Sequence, residues 1–161
     1  MKNTKLLITS LLVLFSVGIY SIEANQKVEN FRLNDQLGNS HELFYYSDQE
    51  ALVFLVQGNG CPIARNASVR FHELEKIYSG KKVKFFMLNS NLQDTKASIL
   101  EEAGSYDYKL PILMDDTQLI GEALEITRTG EVFIVDPKTW QVAYTGALDD
   151  RLSYENQKKE A

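Results

Sequence analysis

The only cysteine in the chain, Cys61, stands in the stretch "QGNGCPIAR", where an apolar run gives way to a helical pattern. A thiol at the amino end of a helix faces unpaired backbone N–H groups and the positive end of the helix dipole. Both favour thiolate. Arg65 lies one turn further along and adds positive charge. A thiolate so placed attacks a peroxide to give sulfenic acid, or a disulfide to give a mixed disulfide. Either product must be resolved by another thiol, and with one cysteine in the chain that thiol comes from outside: an external reductant or a partner protein's cysteine. The alternative is an inert, buried cysteine that packs as a small hydrophobe, its pKa raised by burial. The residues alone leave both readings open.

The other polar candidates are weaker. His72 follows eleven residues later in the same helix, roughly 16 Å of rise away, and reads as a surface histidine. His41 has no ligand partner at metal-site spacing, and Met87 and Met114 sit in apolar runs as core fillers, so no metal or other cofactor is expected. Asp149 and Asp150 read as a solvated pair. Asn66-Ala67-Ser68 fits a glycosylation acceptor but falls on a helix. Trp140 and the tyrosines are scattered among strand positions and form no platform for bases.

The elements that must position Cys61 follow from periodicity. "VENFRL" and "HELFYY" read as short strands joined by the turn "NDQLGNS". "ALVFLV" is continuously apolar, as a strand buried on both faces should be. From Pro62 the period becomes helical, with Ile63, Ala67, Phe71, Leu74 and Tyr78 on one face and Gly80 as C-cap. "VKFFML" is the next buried strand, and "DTKASILEEA" a helix with Asp94 as N-cap, ending near Gly104. "LPILMD" is a short extended segment, "TQLIGEAL" a short helix, and "EVFIVDPKTWQVAYTGA" a hairpin turning at Pro137 to Thr139. Alternation of this kind implies an α/β sandwich whose first strands are parallel.

At 161 residues the chain accommodates one domain with a real core. Residues 1–24 stand apart: Lys2 and Lys5, an apolar core from Leu6 to Tyr20, then Ile22 and Ala24 at three and one before a cleavage point. That is the build of a signal peptide, so the domain, residues 25–150, is expected to be exported, periplasmic or secreted, with a polar tail at 151–161. An uncleaved N-terminal anchor is the alternative and the only membrane association expected. The formal net charge is −5, and no basic stripe is present, which argues against nucleic acid as a partner.

With strand, Cys-Pro turn and long helix in place, the chain resembles the redoxins, the alkyl hydroperoxide reductase and thiol-specific antioxidant (peroxiredoxin-like) branch of the thioredoxin-like fold. The carriers are "FRLNDQLGN", "GCPIARNASVRF", "LNSN", "LPILMDDTQLIGEAL", "TRTGEVFIVD" and "YTGALDD". The resemblance implies a three-layer sandwich with a central mixed sheet flanked by helices, lacking the C-terminal helix with which relatives continue. It implies a thiol-dependent oxidoreductase with Cys61 as nucleophile. Arg65, and Arg128 approaching from the hairpin side, would give electrostatic support, and backbone N–H groups around Pro62, Ile63 and Ala64 would supply the rest.

The chain also departs from the family pattern. Peroxiredoxins have a proline seven and a threonine three residues before the cysteine; here those places hold Phe54 and Gly58, so a hydroxyl that would help hold peroxide is expected to be absent. The places of a second cysteine, three or four residues on, hold Ala64 and Arg65. Where relatives show a cis-proline before the hairpin, this chain has Thr129-Gly130-Glu131, and a different local geometry is expected. These departures keep open a non-catalytic redoxin-fold binding module, or one part of a larger assembly.

Overall fold

The computed structural model describes residues 26–149; the expected signal peptide, the polar tail and the question of a C-terminal helix lie outside them. The chain runs β1 (Arg32–Asp35), β2 (Ser40–Glu42), a 3-10 turn (Leu43–Tyr46), β3 (Ala51–Val56), α1 (Pro62–Tyr78), β4 (Val83–Asn89) and α2 (Lys96–Ser105). It continues through β5 (Ile112–Met114), α3 (Leu119–Ala123), β6 (Glu131–Asp136) and β7 (Gln141–Ala147). The seven strands of the described residues form one mixed sheet in the order β2-β1-β5-β4-β3-β6-β7. β3, β4 and β5 are parallel, while β6 lies antiparallel against β3. Among the described residues no helix is long and apolar enough to cross a membrane.

The continuous apolar run of β3 is explained by its place at the centre. Leu52, Phe54 and Val56 face a core closed by the 3-10 turn and α3, with Phe86, Leu88, Phe133 and Leu124. Val53 and Leu55 face a second core under α1 and α2, with Phe71, Phe85, Met87 and Ile99. Alternate residues of one strand thus feed two cores, which is the three-layer arrangement.

Three local expectations change. The "HELFYY" segment leaves the ladder after Glu42 and winds into a 3-10 turn. A strand would put the adjacent Leu43 and Phe44 on opposite faces. Winding lets Leu43 enter the core while Phe44 stacks on Trp140 with centroids 4.2 Å apart. The N-cap of α2 is Thr95, not Asp94, in a reciprocal capping box with Ser98. The buried stripe of α1 is Ala64, Ala67, Ser68 and Phe71, with Tyr78 exposed, because small residues let this helix lie close on the sheet.

Neither histidine is a bare surface group. His72 is half-buried; its Nε2 accepts the Lys109 N–H at 3.0 Å, which leaves Nδ1–H to donate to the Ser68 carbonyl at 2.6 Å. His41 lies between Asp35 Oδ2 at 3.0 Å and the Tyr46 hydroxyl at 2.8 Å, tying the β1–β2 hairpin to the 3-10 turn.

Candidate active site

Cys61 is the N-cap residue of α1, with extended backbone (φ −77°, ψ 114°), and Pro62 takes the first helical position. Proline has no N–H to leave unsatisfied there and its ring presets the helical φ. The cysteine is half-buried at the carboxyl end of β3, where the strand hands over to the helix. A polar network fixes the connecting turn. Asn89 donates to Gln57 Oε1 (2.6 Å) and Asp94 Oδ2 (2.9 Å), and the Asn59 backbone N–H donates to that same Asp94 oxygen at 2.9 Å. The Asn59 side chain bridges Gln57 and Ser98, each at 2.9 Å. Asp94, displaced from its expected capping role, thus anchors the cysteine turn.

The second wall comes from the segment before β6. Gly130 N–H donates to the Val56 carbonyl at 2.8 Å, docking this segment on the end of β3. Thr127 is held by Glu131 through its backbone N–H and hydroxyl at 3.0 and 2.9 Å. Between these anchors Thr129 Oγ1 reaches Cys61 Sγ at 2.9 Å. The sulfur therefore does meet a hydroxyl, supplied from 68 residues downstream rather than from position 58. Gly58 makes room for it: a Cβ there would lie 2.8 Å from Thr129 Cγ2. A side chain at 58 and the observed placement of Thr129 exclude each other. The same logic holds at Gly130, where φ is +85° and an added Cβ would stand 2.8 Å from Ile63 Cγ2.

The two arginines behave differently from each other. Arg65 forms a bidentate pair with Glu102 on α2, Nε to Oε1 at 2.8 Å and Nη2 to Oε2 at 2.7 Å, and stacks 4.1 Å above the Tyr106 ring. Glu102 also accepts the Gly60 N–H at 3.3 Å. Arg128 is directed to solvent, its side chain 72% exposed and its Nε 3.6 Å from Glu131 Oε1. The structure brings together Cys61, Pro62, Ile63, Ala64, Arg65, Gly58, Thr129 and Gly130, whereas Arg128 stays at the rim. Glu102 escaped the sequence reading, although Ile99, Glu102 and Ala103 share the buried spacing of α2. An acidic residue on an apolar stripe was the available signal.

A family model described as Redoxin matches residues 23–159. The chain belongs to the redoxin family. Solved structures agree. A hypothetical protein from Sinorhizobium meliloti 1021 is 26% identical with a TM-score of 0.70, over 81% of this chain and 73% of that one. Peroxidoxin BcpB from Mycobacterium tuberculosis is 16% identical with a TM-score of 0.65, over 76% of this chain and 84% of that one. A putative thiol:disulfide interchange protein, DsbE, from Chlorobium tepidum is 13% identical with a TM-score of 0.64, over 76% of this chain and 84% of that one. A comparison with curated protein sequences returned no match. The redoxin is thus a thioredoxin-like α/β domain, and its class of chemistry is thiol-dependent oxidoreduction.

The electrostatics of this redoxin's thiol oppose one another. Burial of the sulfur raises its pKa and is the largest single influence. The Thr129 hydroxyl, the backbone N–H groups of Ala64 and Ile63, and the Arg65 charge together outweigh it, so the thiol lies below its ordinary value. Among the described residues no group of three or more His, Cys, Asp or Glu side chains could hold a metal ion. Thr129→Val keeps the side-chain shape and removes the hydroxyl. It is expected to raise the midpoint of the pH–alkylation profile and to slow alkylation at pH 7 by roughly tenfold, the value of one hydrogen bond to a charged acceptor. Thr129→Ser should stay near wild type; stopped-flow kinetics with a thiol-reactive probe checks both.

Proposed function

We propose that this redoxin is an exported, one-cysteine, peroxidase-like oxidoreductase with Cys61 as its nucleophile. The observation that carries the reading is the half-buried Sγ set against the Thr129 hydroxyl at 2.9 Å, at the start of a helix whose Ile63 and Ala64 N–H groups favour the thiolate. The Cys61 thiolate attacks one peroxide oxygen, forming the S–O bond as the O–O bond breaks. The departing alkoxide or hydroxide takes a proton, for which the Thr129 hydroxyl is the nearest side-chain relay. Sulfur is oxidised by two electrons to sulfenic acid and the peroxide is reduced to alcohol or water. An external thiol then attacks the sulfenic sulfur, water leaves, and a second thiol releases Cys61 from the mixed disulfide. The name of the Mycobacterium tuberculosis neighbour, a peroxidoxin, supports peroxide as the class of oxidant. Export rests on the three-part build of residues 1–24.

The test is stoichiometric. Without added thiol, the protein is expected to consume about one equivalent of hydrogen peroxide and to label with a sulfenic-acid probe at Cys61. With excess thiol it should turn over, and Cys61→Ser should do neither. A Cys61 that peroxide leaves untouched, but that exchanges rapidly with a disulfide, would move the function to disulfide exchange. A thiol inert to both would leave a binding module. N-terminal sequencing of the protein released by an exporting host should find the mature chain starting at Asn25.

A further inference from the structure

The Glu102 carboxylate touches both sides of the cysteine turn without touching the sulfur. On one side it grips Arg65 with two bonds of 2.8 and 2.7 Å; on the other it accepts the N–H of Gly60, the residue before Cys61. Its side chain is only 9% exposed, against 28% for Arg65, so the pair is poorly screened. Its partners hold it from several elements: Arg65 from α1, Gly60 from the turn, and its own helix α2, already tied to that turn through Ser98. An arginine freed of a carboxylate would present a full positive charge one turn from the thiol. This arginine is instead committed twice over, to Glu102 and to the Tyr106 ring.

We propose that Glu102 is a positioning residue that acts as a brake on Cys61: it holds Arg65 in a neutral pair and so limits how reactive the thiol becomes. This rests on Cys61 being the working thiol. The other charged groups around the turn have partners of their own. Asp94 accepts hydrogen bonds from Asn59 and Asn89, and Arg128 lies against Glu131 at the solvent edge. Removing either partner of the Arg65–Glu102 pair leaves the other's charge unbalanced beside the turn. Reactivity is tuned here by carboxylate and arginine together, with the two residues opposite in effect.

The experiment is a double-mutant cycle on the chain as recovered from the exporting host, read as the midpoint of the pH–alkylation profile of Cys61 and as melting temperature. Glu102→Gln retains an oxygen for the Gly60 N–H and for one Arg65 N–H while removing the negative charge. Its midpoint is expected to fall by about half a unit or more, roughly threefold more thiolate at pH 7. Arg65→Gln should move it up by a similar amount, and adding Glu102→Gln to Arg65→Gln should shift it by less than about 0.3 unit, because without Arg65 the carboxylate has nothing to hold back. A merely structural Glu102 would lower the melting temperature of Glu102→Gln and leave the midpoint in place, which overturns the proposal. Equal effects of Glu102→Gln with and without Arg65 would overturn it too, since the brake acts through Arg65. The midpoint is readable whether or not peroxide is a substrate. A wild-type Cys61 that resists peroxide while the cycle behaves as described would sink the peroxidase reading alone.

Discussion

Gly58→Ala is expected to cripple the thiol while adding only one methyl group. The new Cβ would stand 2.8 Å from Thr129 Cγ2, well inside van der Waals contact, and something must move. The neighbouring atoms make the Thr129 side chain the part that moves. Gly130 N–H holds its backbone to Val56 at 2.8 Å, and β3 fixes Gly58 from the other side. Rotation of Thr129 takes Oγ1 from its 2.9 Å contact with Cys61 and removes a group that favours the thiolate. Burial, the largest opposing influence, then gains ground. The pH–alkylation midpoint should rise by about half to one unit, and alkylation at pH 7 should slow roughly three- to tenfold. The stability cost should stay near 1 kcal/mol because the displaced group is the end of a side chain. The rescue is specific. Thr129→Ser removes Cγ2 and keeps the hydroxyl, and the next nearest atom to the new Cβ is Thr129 Cβ at 4.0 Å, an ordinary contact. Gly58→Ala combined with Thr129→Ser should therefore recover near-wild-type reactivity. A double variant as slow as Gly58→Ala alone would show that the methyl contact is not what positions the hydroxyl.

The part of this site that sequence made legible is the part built from neighbours in the chain. "ALVFLV" followed by "QGNGCP" and a helical period places Cys61 at a helix start because strand, turn and helix each have a local signature. The Thr129 contact has none, since it spans 68 residues and depends on how the segment before β6 docks on β3. Read by position, the missing threonine at 58 looks like loss of function. In three dimensions the glycine there is what admits a replacement hydroxyl. Arg65 illustrates the same limit from the other side. Its spacing from Cys61 was readable, but its commitment to Glu102 joins α1 to α2, and the only local trace is an acid on the buried stripe of α2. The 3-10 turn at Leu43–Tyr46 replaced an expected strand for a similar reason, since tertiary burial of Leu43 and Phe44 overrode a β-favouring composition.

Gly130→Pro, which would restore the residue type relatives carry before this hairpin, is expected to be the more damaging change of the two. Gly130 has φ +85°, whereas the proline ring holds φ near −65°, so the substitution cannot keep the observed backbone. Its N–H donates to the Val56 carbonyl at 2.8 Å, and Val56 is 3% exposed, so losing the donor leaves a buried acceptor unsatisfied. Ile63 Cγ2, 2.8 Å from the position a Cβ would take, closes the remaining space from the α1 side. These effects add to about 3 kcal/mol or more, a fall of roughly 10 °C in melting temperature for a domain of this size. Because the same hydrogen bond docks the Thr129 segment, the alkylation midpoint should rise together with the loss of stability. Gly130→Ala separates the two effects. It keeps the N–H and meets only the left-handed strain and Ile63, so it should cost less stability and leave more of the thiol's reactivity. Differential scanning fluorimetry and the alkylation profile, measured on both variants, give the comparison. Gly130→Pro matching wild type in both would mean that the segment before β6 can adopt a second backbone path, and that Thr129 reaches Cys61 by a route other than the Val56 anchor.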